Sequence, residues 1–413
     1  MPRFFKDEGF EFATELALGA TYYRAADVGE VLATVEAVKN GDYDSWCDAW
    51  LEAAERLAAT AERCELQHHR QSAFEAWLRA SNYFDKASFY MLGTKEPDRF
   101  VPTWRRHRDC FERAAALYDP PFEKVAIPYA DGDLEGWLFR PRDAEGRLPL
   151  LILNNGSDGT VLDMWLQGGA AAVERGYLCL TFDGPGQGRA LHEQGMHFRP
   201  DWEAVITPVV DHVLGRADVD PERIALQGVS QGGYWVPRAV AFEQRISAAI
   251  ADPGVMDVST AMTDHLPKSL RKHLDAGEKE KFNRSMSWGE RFSKEARFTV
   301  DFRGRPYGAE TPFDMFDDAR AYRLEPDVIA RIQCPMLITD PEGEQFWPGQ
   351  SQQLYDALPG PKELVRFTVA EGADSHCEPK ALGLRNQRVL DWLDGVMPGA
   401  GAAGPTPAAC SPP

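Results

Sequence analysis

The chain lacks the features of exported, membrane-spanning and metal-binding proteins. Its 413 residues include seven cysteines, an odd number, and no two of them form a Cys-x-x-Cys pair. No apolar run reaches the roughly 18 residues of a membrane-spanning helix, and the charged first residues contain no apolar core of an export signal. These absences predict a cytoplasmic protein without a disulfide framework, a metal site or a membrane span.

Positive charge is also scarce. The chain has 45 Lys and Arg residues against 64 Asp and Glu residues, a formal net charge of −19. An acidic surface repels phosphate backbones and anionic lipids, so nucleic acids and membrane surfaces are poor partners. The simpler interpretation of the charge is plain solubility, and the charge does not identify a substrate. The 22 Phe, 12 Tyr and 11 Trp residues can supply both a large core and an apolar pocket for a small molecule. The sequence leaves a homodimer open.

Residues 1–120 are predicted to form a helical domain. Apolar residues recur at three- and four-residue spacing from Trp46 to Ala58 and again from Phe74 to Tyr83, and strand-like alternation is absent. The simpler expectation is a helical bundle that packs its own core. The stronger expectation is that the bundle also covers an active site.

Residues 121–397 show the pattern of an α/β domain. Two strand-like segments around Asp131-Gly132 predict a hairpin, and short apolar runs then alternate with helical stretches. This alternation is typical of a mostly parallel sheet covered on both faces, here with the hairpin at an antiparallel edge. Residues of about 253–330 interrupt it, which predicts an insertion that is either a lid or a structural excursion. Residues 398–413, rich in Gly, Ala and Pro, predict a disordered tail.

The functional interpretation depends on the segment Gly228-Val229-Ser230-Gln231-Gly232-Gly233. It stands between a predicted strand and a predicted helix, which is the context of a nucleophile elbow. A sharp turn there strains the serine, so the positions two residues to either side must lack a Cβ atom. We therefore predict Ser230 as the nucleophile. Cys377 is a second candidate, and we expect it to be a wall residue instead.

A serine hydroxyl needs a base to take its proton, and in this motif's fold the base follows the nucleophile and the acid along the chain. Only His265, His273 and His376 come after Ser230. The first two fall in the predicted insertion, on segments expected to be solvated. His376 follows the last apolar run, at the carboxyl end of the final predicted strand. We predict that His376 is the general base, the alternative being a loop histidine bonded to water.

The acid that orients the histidine should lie just past the predicted strand 335–339. Asp340, Glu342 and Glu344 compete for this role. Asp340 is nearest to the strand end and Glu344 lies further into the loop, and spacing alone does not choose between them. Glu342 is the weakest candidate.

An oxyanion hole requires two N–H donors. One should be the backbone N–H of Gln231, directly after the nucleophile. The other should come from the loop that follows the strand 148–153, where we predict Ser157, with Gly156 as the alternative. A separate glycine-rich segment, 183–188, lacks the Lys-Ser/Thr pair of a phosphate-binding loop and is expected to be a tight turn.

Three segments together resemble one branch of a known family. They are Asp183-Gly184-Pro185-Gly186-Gln187-Gly188, the segment Gly228–Gly233, and Asp374-Ser375-His376-Cys377. In this order they resemble the α/β-hydrolases with a helical N-terminal domain, a branch that includes 2,6-dihydroxypseudooxynicotine hydrolase, fungal pigment hydrolases that shorten a polyketide chain, and FrsA-like esterases. The likeness extends from about Trp46 to Leu393.

The resemblance carries further expectations. It implies that the helical domain and the insertion together roof the active site, and that no metal or organic cofactor takes part. The family acid precedes a proline by a few residues, which corresponds to Glu344 before Pro348. Glu stands there in place of the usual Asp, so Asp340 remains the alternative. The oxyanion loop has Asn155-Gly156 in place of the usual His-Gly pair.

The expected protein is thus a serine hydrolase that acts on a carbonyl substrate through a Ser-acid-His triad. Ester hydrolysis and carbon–carbon bond cleavage of an aryl ketone or polyketide both fit. An acyltransferase or cyclase on the same triad, or a peptidase, is the alternative. A non-enzymatic ligand-binding scaffold is least favoured, because such a protein has no need to keep all three triad members.

Overall fold

The computed structural model describes residues 3–130, 132–290 and 294–397, without the side chains of 288–290 and 294–296. Asp131 of the predicted hairpin and the predicted tail 398–413 lie outside this description. The chain begins with helices, several of which start at an aspartate whose carboxylate accepts a backbone N–H, as Asp7 does from Phe10. These helices are α1 (Glu8–Gly19), α2 (Val28–Glu36), α3 (Tyr43–Leu66), α4 (Arg70–Phe89) and α5 (Phe100–Leu117).

The helices of this region pack against one another, and their buried apolar residues form one continuous core with residues of the sheet and its helices. Helix α4 lies between α3 and α5. Trp46 and Trp50 of α3 are fully buried and contact each other, with ring centroids 5.7 Å apart. The ring centroid of Tyr83 in α4 lies 5.2 Å from that of Trp50, and the Tyr83 hydroxyl donates a hydrogen bond to the Glu30 carboxylate. Aromatic residues therefore join the long helices into one unit.

The remaining strands form one mixed sheet, and the predicted α/β-hydrolase fold class is confirmed. Within the described residues the sheet has eight strands in the order β1-β2-β4-β3-β5-β6-β7-β8. β1 and β2 form the predicted antiparallel edge hairpin, β2 also pairs antiparallel with β4, and the other pairings are parallel. The strands are β1 (Glu123–Tyr129), β2 (Gly132–Phe139), β3 (Leu148–Asn154), β4 (Leu178–Phe182), β5 (Val219–Val229), β6 (Ala248–Asp252), β7 (Met336–Pro341) and β8 (Lys362–Phe367).

Helices connect the strands of the sheet and cover it. Every residue of β3, β4 and β6 is buried, which agrees with a sheet covered on both faces. The helices before the insertion are α6 (Val161–Met164), α7 (Ala170–Glu174), α8 (Gly188–His192), α9 (Glu203–Leu214) and α10 (Gly232–Val240). A π-helical segment, Trp165–Gly169, joins α6 to α7.

Short helices fill the chain between β6 and β7. They share a small core in which Phe282 is fully buried against Phe313 and Phe316. Phe298 and Phe302 instead contact Tyr90 and Phe89 of the helical region, with ring centroids 5.6 Å apart in both pairs. The helices are α11 (Thr260–Thr263), α12 (Lys268–Asp275), α13 (Lys279–Glu290), α14 (Lys294–Gly304), α15 (Pro312–Asp318) and α16 (Pro326–Ile329). After β7 come α17 (Gln350–Ala357) and, following β8, α18 (Leu382–Val396).

A buried ion pair joins the centre of the sheet to the last helix. Asp252, the last residue of β6, and Arg385 of α18 both have fully buried side chains. Arg385 Nε donates to Asp252 Oδ2 over 2.8 Å, and Thr339 Oγ1 donates to Asp252 Oδ1 over 2.6 Å. The carboxyl of Glu378 lies 4.0 Å from Arg385 Nε.

Across the described residues, no helix combines the length and apolar character needed to cross a bilayer.

Replacing Arg385 by Met removes the cation and keeps much of the side-chain volume. Removing one partner leaves the other charge buried without compensation, so we expect the free energy of unfolding to fall by about 3–5 kcal/mol. The matched control is Arg388→Met on the same helix, because Arg388 pairs with Glu371 at the surface. Such surface pairs contribute about 0–1 kcal/mol. Urea unfolding measures both variants, and equal losses would contradict the prediction.

Candidate active site

The turn after β5 has the geometry of a nucleophile elbow. Ser230 has a φ of 58°, in the left-handed region that a non-glycine residue adopts only under strain. A Cβ atom on Gly228 would lie 2.1 Å from the carbonyl oxygen of Gly232, so the two chain segments can approach only without one. The Ser230 N–H donates to the backbone carbonyl of Asp252 over 2.6 Å. The turn therefore presents Ser230 at the carboxyl end of a central strand.

Ser230, His376 and Glu344 form a continuous chain of hydrogen bonds. His376 Nε2 lies 2.9 Å from Ser230 Oγ, and His376 Nδ1 lies 2.8 Å from Glu344 Oε2. The side chains of His376 and Glu344 are only 6% and 5% exposed. With the carboxylate as acceptor, the proton of a neutral imidazole resides on Nδ1, and Nε2 is free to accept the serine proton.

Glu344 is held in its charged form. Its Oε1 accepts the N–H groups of Phe346 and Trp347 over 2.9 and 3.1 Å. Burial on its own raises the pKa of Glu344, but His376 and these two N–H donors outweigh burial, so the pKa lies below its ordinary value. The site thus keeps a carboxylate beside the imidazole, which stabilises the imidazolium form.

The competing acids lie elsewhere. Asp340 forms an ion pair with Arg366, its Oδ2 being 3.2 Å from Arg366 Nε, and burial raises its pKa. Glu342 accepts the N–H of Val369 over 2.9 Å. The structure therefore brings Glu344 to His376, and it gives Asp340 and Glu342 other partners.

The loop after β3 lies directly against the serine. A Cβ atom on Gly156 would come within 2.8 Å of Ser230 Cβ, so only glycine fits there. The Gly156 N–H donates to Asn155 Oδ1 over 2.7 Å, which leaves Ser157 as the better oxyanion donor of the two predicted. Gln231, the other predicted donor, is buried directly before α10. Both predicted backbone donors thus belong to segments that border Ser230.

Side chains from the helical region and the insertion also reach the site, and the sequence patterns did not identify them. The rings of Phe346 and of Phe12, from α1, lie 4.7 and 6.4 Å from the imidazole of His376. Arg303 of α14 donates to Asp158 over 2.8 Å and to the hydroxyl of Ser157 over 3.2 Å. The contacts of Phe12 and Arg303 join chain segments more than 140 residues apart, so no local pattern indicates them, whereas Phe346 lies in the same loop as Glu344.

The other candidate histidines lie apart from the triad, and Cys377, although next to His376, directs its thiol hydrogen bond to a backbone carbonyl and not to Ser230. His273 pairs with Glu278 within the insertion, and His265 is exposed. Cys377 is a buried wall residue, as expected: burial raises the pKa of its thiol well above the ordinary value, and its Sγ contacts the Asp252 carbonyl at 3.4 Å. Among the described residues, no group of three or more His, Cys, Asp and Glu side chains is arranged to hold a metal ion.

The buried Arg385 is a residue that the sequence analysis missed, although a signal for it exists. In α18 it falls on the apolar stripe that Leu382, Val389 and Leu390 form at helical spacing. A cation within such a stripe predicts a buried acid as its partner, here Asp252. That residue follows Ala251 at the end of an apolar run, so both partners could have been suspected.

Known proteins match the chain both in sequence and in structure. The model of the prolyl oligopeptidase family matches residues 168–299. Hydrolase LUC6 of Fusarium sp is 31% identical, covering 95% of this chain and 98% of its own length. The 20-hydroxy-prefusarin hydrolase FUS2 of Gibberella moniliformis is 29% identical, covering 96% of this chain and 98% of its own length. The solved structure of 2,6-dihydroxy-pseudo-oxynicotine hydrolase superposes with a TM-score of 0.72 at 21% identity, covering 92% of this chain and 95% of its own.

The fold and the elbow define the class of the protein, that of the α/β-hydrolases. The relatives of at least 30% identity extend over nearly the whole chain, and the match to 2,6-dihydroxy-pseudo-oxynicotine hydrolase extends over the helical region as well as the sheet. The chain belongs to the α/β-hydrolase family and is a serine hydrolase related to these fungal enzymes. The family resemblance seen in the sequence is thereby confirmed.

Replacing Glu344 by Gln tests which acid serves His376. The new amide can donate to Nδ1 and so favour the wrong imidazole tautomer, a change that lowers kcat by about 10⁴-fold in a well-studied serine triad. We expect a loss of similar order in the rate at which a fluorophosphonate labels the protein. Asp340→Asn is the matched control and should label at the wild-type rate. The reverse ranking of the two variants would assign the role to Asp340.

Proposed function

We propose that the protein hydrolyses a carbonyl compound through an acyl-enzyme formed on Ser230. The observation that carries the proposal is the unbroken contact from Ser230 through His376 to Glu344, with separations of 2.9 and 2.8 Å. Each member has a role that its chemistry fits: hydroxyl nucleophile, imidazole base and carboxylate that orients the base.

The reaction begins when His376 Nε2 takes the proton of Ser230 and the serine oxygen attacks the carbonyl carbon. The resulting oxyanion accepts the backbone N–H groups of Gln231 and Ser157. His376 then gives its proton to the leaving group as the bond to the carbonyl carbon breaks. Water, deprotonated by His376, attacks the acyl-enzyme, and the acid product leaves with Ser230 restored.

The leaving group is an alcohol in an ester or a stabilised carbanion in a ketone with a second activating group. Phe12, Phe346 and Trp347 around His376 supply apolar surface suited to a large, unsaturated acyl portion. One relative is named for the hydrolysis of 20-hydroxy-prefusarin. We therefore propose an aryl ketone, a polyketide or an ester of similar size as substrate.

Acyl transfer to an internal nucleophile, as in a cyclase, is the second candidate. The low exposure of His376 and Glu344, 6% and 5%, favours it because an enclosed site limits the entry of water. Turnover of an active substrate in H₂¹⁸O distinguishes the two. Heavy oxygen in the acid product indicates hydrolysis, and a product without it indicates transfer or cyclisation.

Labelling with a fluorophosphonate tests the role of Ser230. We expect the wild type to gain one phosphonyl group by intact mass and Ser230→Ala to gain none, because only an activated serine attacks the probe at neutral pH. Cys377→Ser is the matched control next to the base and should label like the wild type, since the buried thiol is not the nucleophile and serine keeps a donor to the Asp252 carbonyl. Labelling of Ser230→Ala, with the phosphonyl group on another residue, would overturn the assignment.

A further inference from the structure

The glycine-rich turn after β4 has a geometry that a simple turn does not require. Gly186 and Gly188 have φ values of 83° and 35°. A Cβ atom on Gly188 would lie 2.1 Å from the Asp183 carboxylate, which accepts the N–H of Arg189 over 2.8 Å. The tight backbone places Gln187, only 2% exposed, beneath the loop that borders Ser230.

The side-chain amide of Gln187 forms hydrogen bonds to that loop and to its own turn. Nε2 donates to the carbonyl oxygens of Asn155 and Gly156 over 2.9 and 2.7 Å. Oε1 accepts the N–H of Gly184 over 2.8 Å. Both amide hydrogens are thus used on two successive carbonyl groups of one loop. An ordinary turn residue would direct its side chain to solvent.

The two carbonyl groups set the orientation of the peptide planes that follow them. In a trans peptide the C=O and the N–H of the next residue point in opposite directions. Holding the Gly156 carbonyl against Gln187 therefore directs the Ser157 N–H away from Gln187. The Gly156 N–H, which follows the Asn155 carbonyl, is already bound by Asn155 Oδ1. Of the two N–H groups that follow these carbonyls, that of Ser157 is the one whose direction depends on Gln187.

We propose that Gln187 is a positioning residue that orients the Ser157 N–H as an oxyanion donor. The proposal rests on the proposed function of Ser230. It gives the segment 183–188 a role in the reaction rather than in the turn alone. Gln187 does not touch the substrate; it acts through the backbone of residues 155–157.

Two substitutions test the proposal. Gln187→Met keeps the length of the side chain and removes both donors, and Gln187→Glu places an acceptor against two carbonyl oxygens. Losing an oxyanion donor outright lowers kcat by roughly 10²–10³-fold, so misorienting one should lower it by roughly 10- to 100-fold. The matched control is Gln194→Met, because Gln194 Nε2 also donates to a backbone carbonyl, that of Asp133, away from the loop.

The measurements separate positioning from folding. We expect kcat on p-nitrophenyl butyrate and the fluorophosphonate labelling rate to fall, while KM, the apparent pKa of the pH–rate profile and the final extent of labelling stay at wild-type values. Amide hydrogen exchange of the peptide covering residues 154–160 should accelerate. Gln194→Met should change none of these. A merely structural role would instead lower the thermal midpoint and the labelled fraction.

The outcomes distinguish this proposal from the proposed function. Wild-type kcat in both Gln187 variants, or unchanged exchange in 154–160, overturns the positioning role while the serine mechanism stands. A wild type that neither labels nor hydrolyses the ester overturns the proposed function, and the oxyanion role of Gln187 with it, even if exchange shows that Gln187 anchors the loop. If Gln187→Glu does not fold, Gln187→Met supplies the same comparison.

Discussion

The hydrogen bonds and the ion pair of Asp252 are the constraint on which the geometry of the site depends. The carboxylate is bound by Arg385 and Thr339. The backbone carbonyl of the same residue accepts the N–H of Ser230 and contacts the thiol of Cys377, the neighbour of His376. One residue at the end of β6 thus fixes both the elbow and the histidine loop. A shift of Asp252 would change the distance between nucleophile and base.

This constraint explains why strained backbone persists there. Ser230, Cys377 and Glu378 have φ values of 58°, 56° and 48°. Such conformations cost of the order of 1–3 kcal/mol each for a non-glycine residue and persist only where the surroundings determine them. Burial raises the pKa of Glu378 well above its ordinary value, and the charge of Asp252 adds to this rise, so the surroundings favour the neutral form of this carboxyl beside the ion pair.

The sequence predicted the parts of the site that are local. Ser230 is recognisable because its turn, strand and helix are contiguous, and His376 because few histidines follow it in the required order. The choice between Glu344 and Asp340 depends on the path of a loop in three dimensions, which spacing does not determine. The role of Gln187 was missed because its glycines were sufficient to explain a turn. The carbonyl groups that Gln187 binds lie 31 and 32 residues away along the chain, so this contact becomes visible only once the chain is folded.

The covering elements contact the loops of the site rather than the strands that carry them. Helix α1 brings Phe12 near His376, and its Glu15 accepts the hydroxyl of Ser375 over 2.9 Å. Helix α14 brings Arg303 to Ser157 and Asp158. The reacting groups themselves stand at the carboxyl ends of strands fixed by buried contacts. Substitutions of Phe12, Glu15 or Arg303 would therefore change the surroundings of His376 and Ser157 while leaving those strands in place.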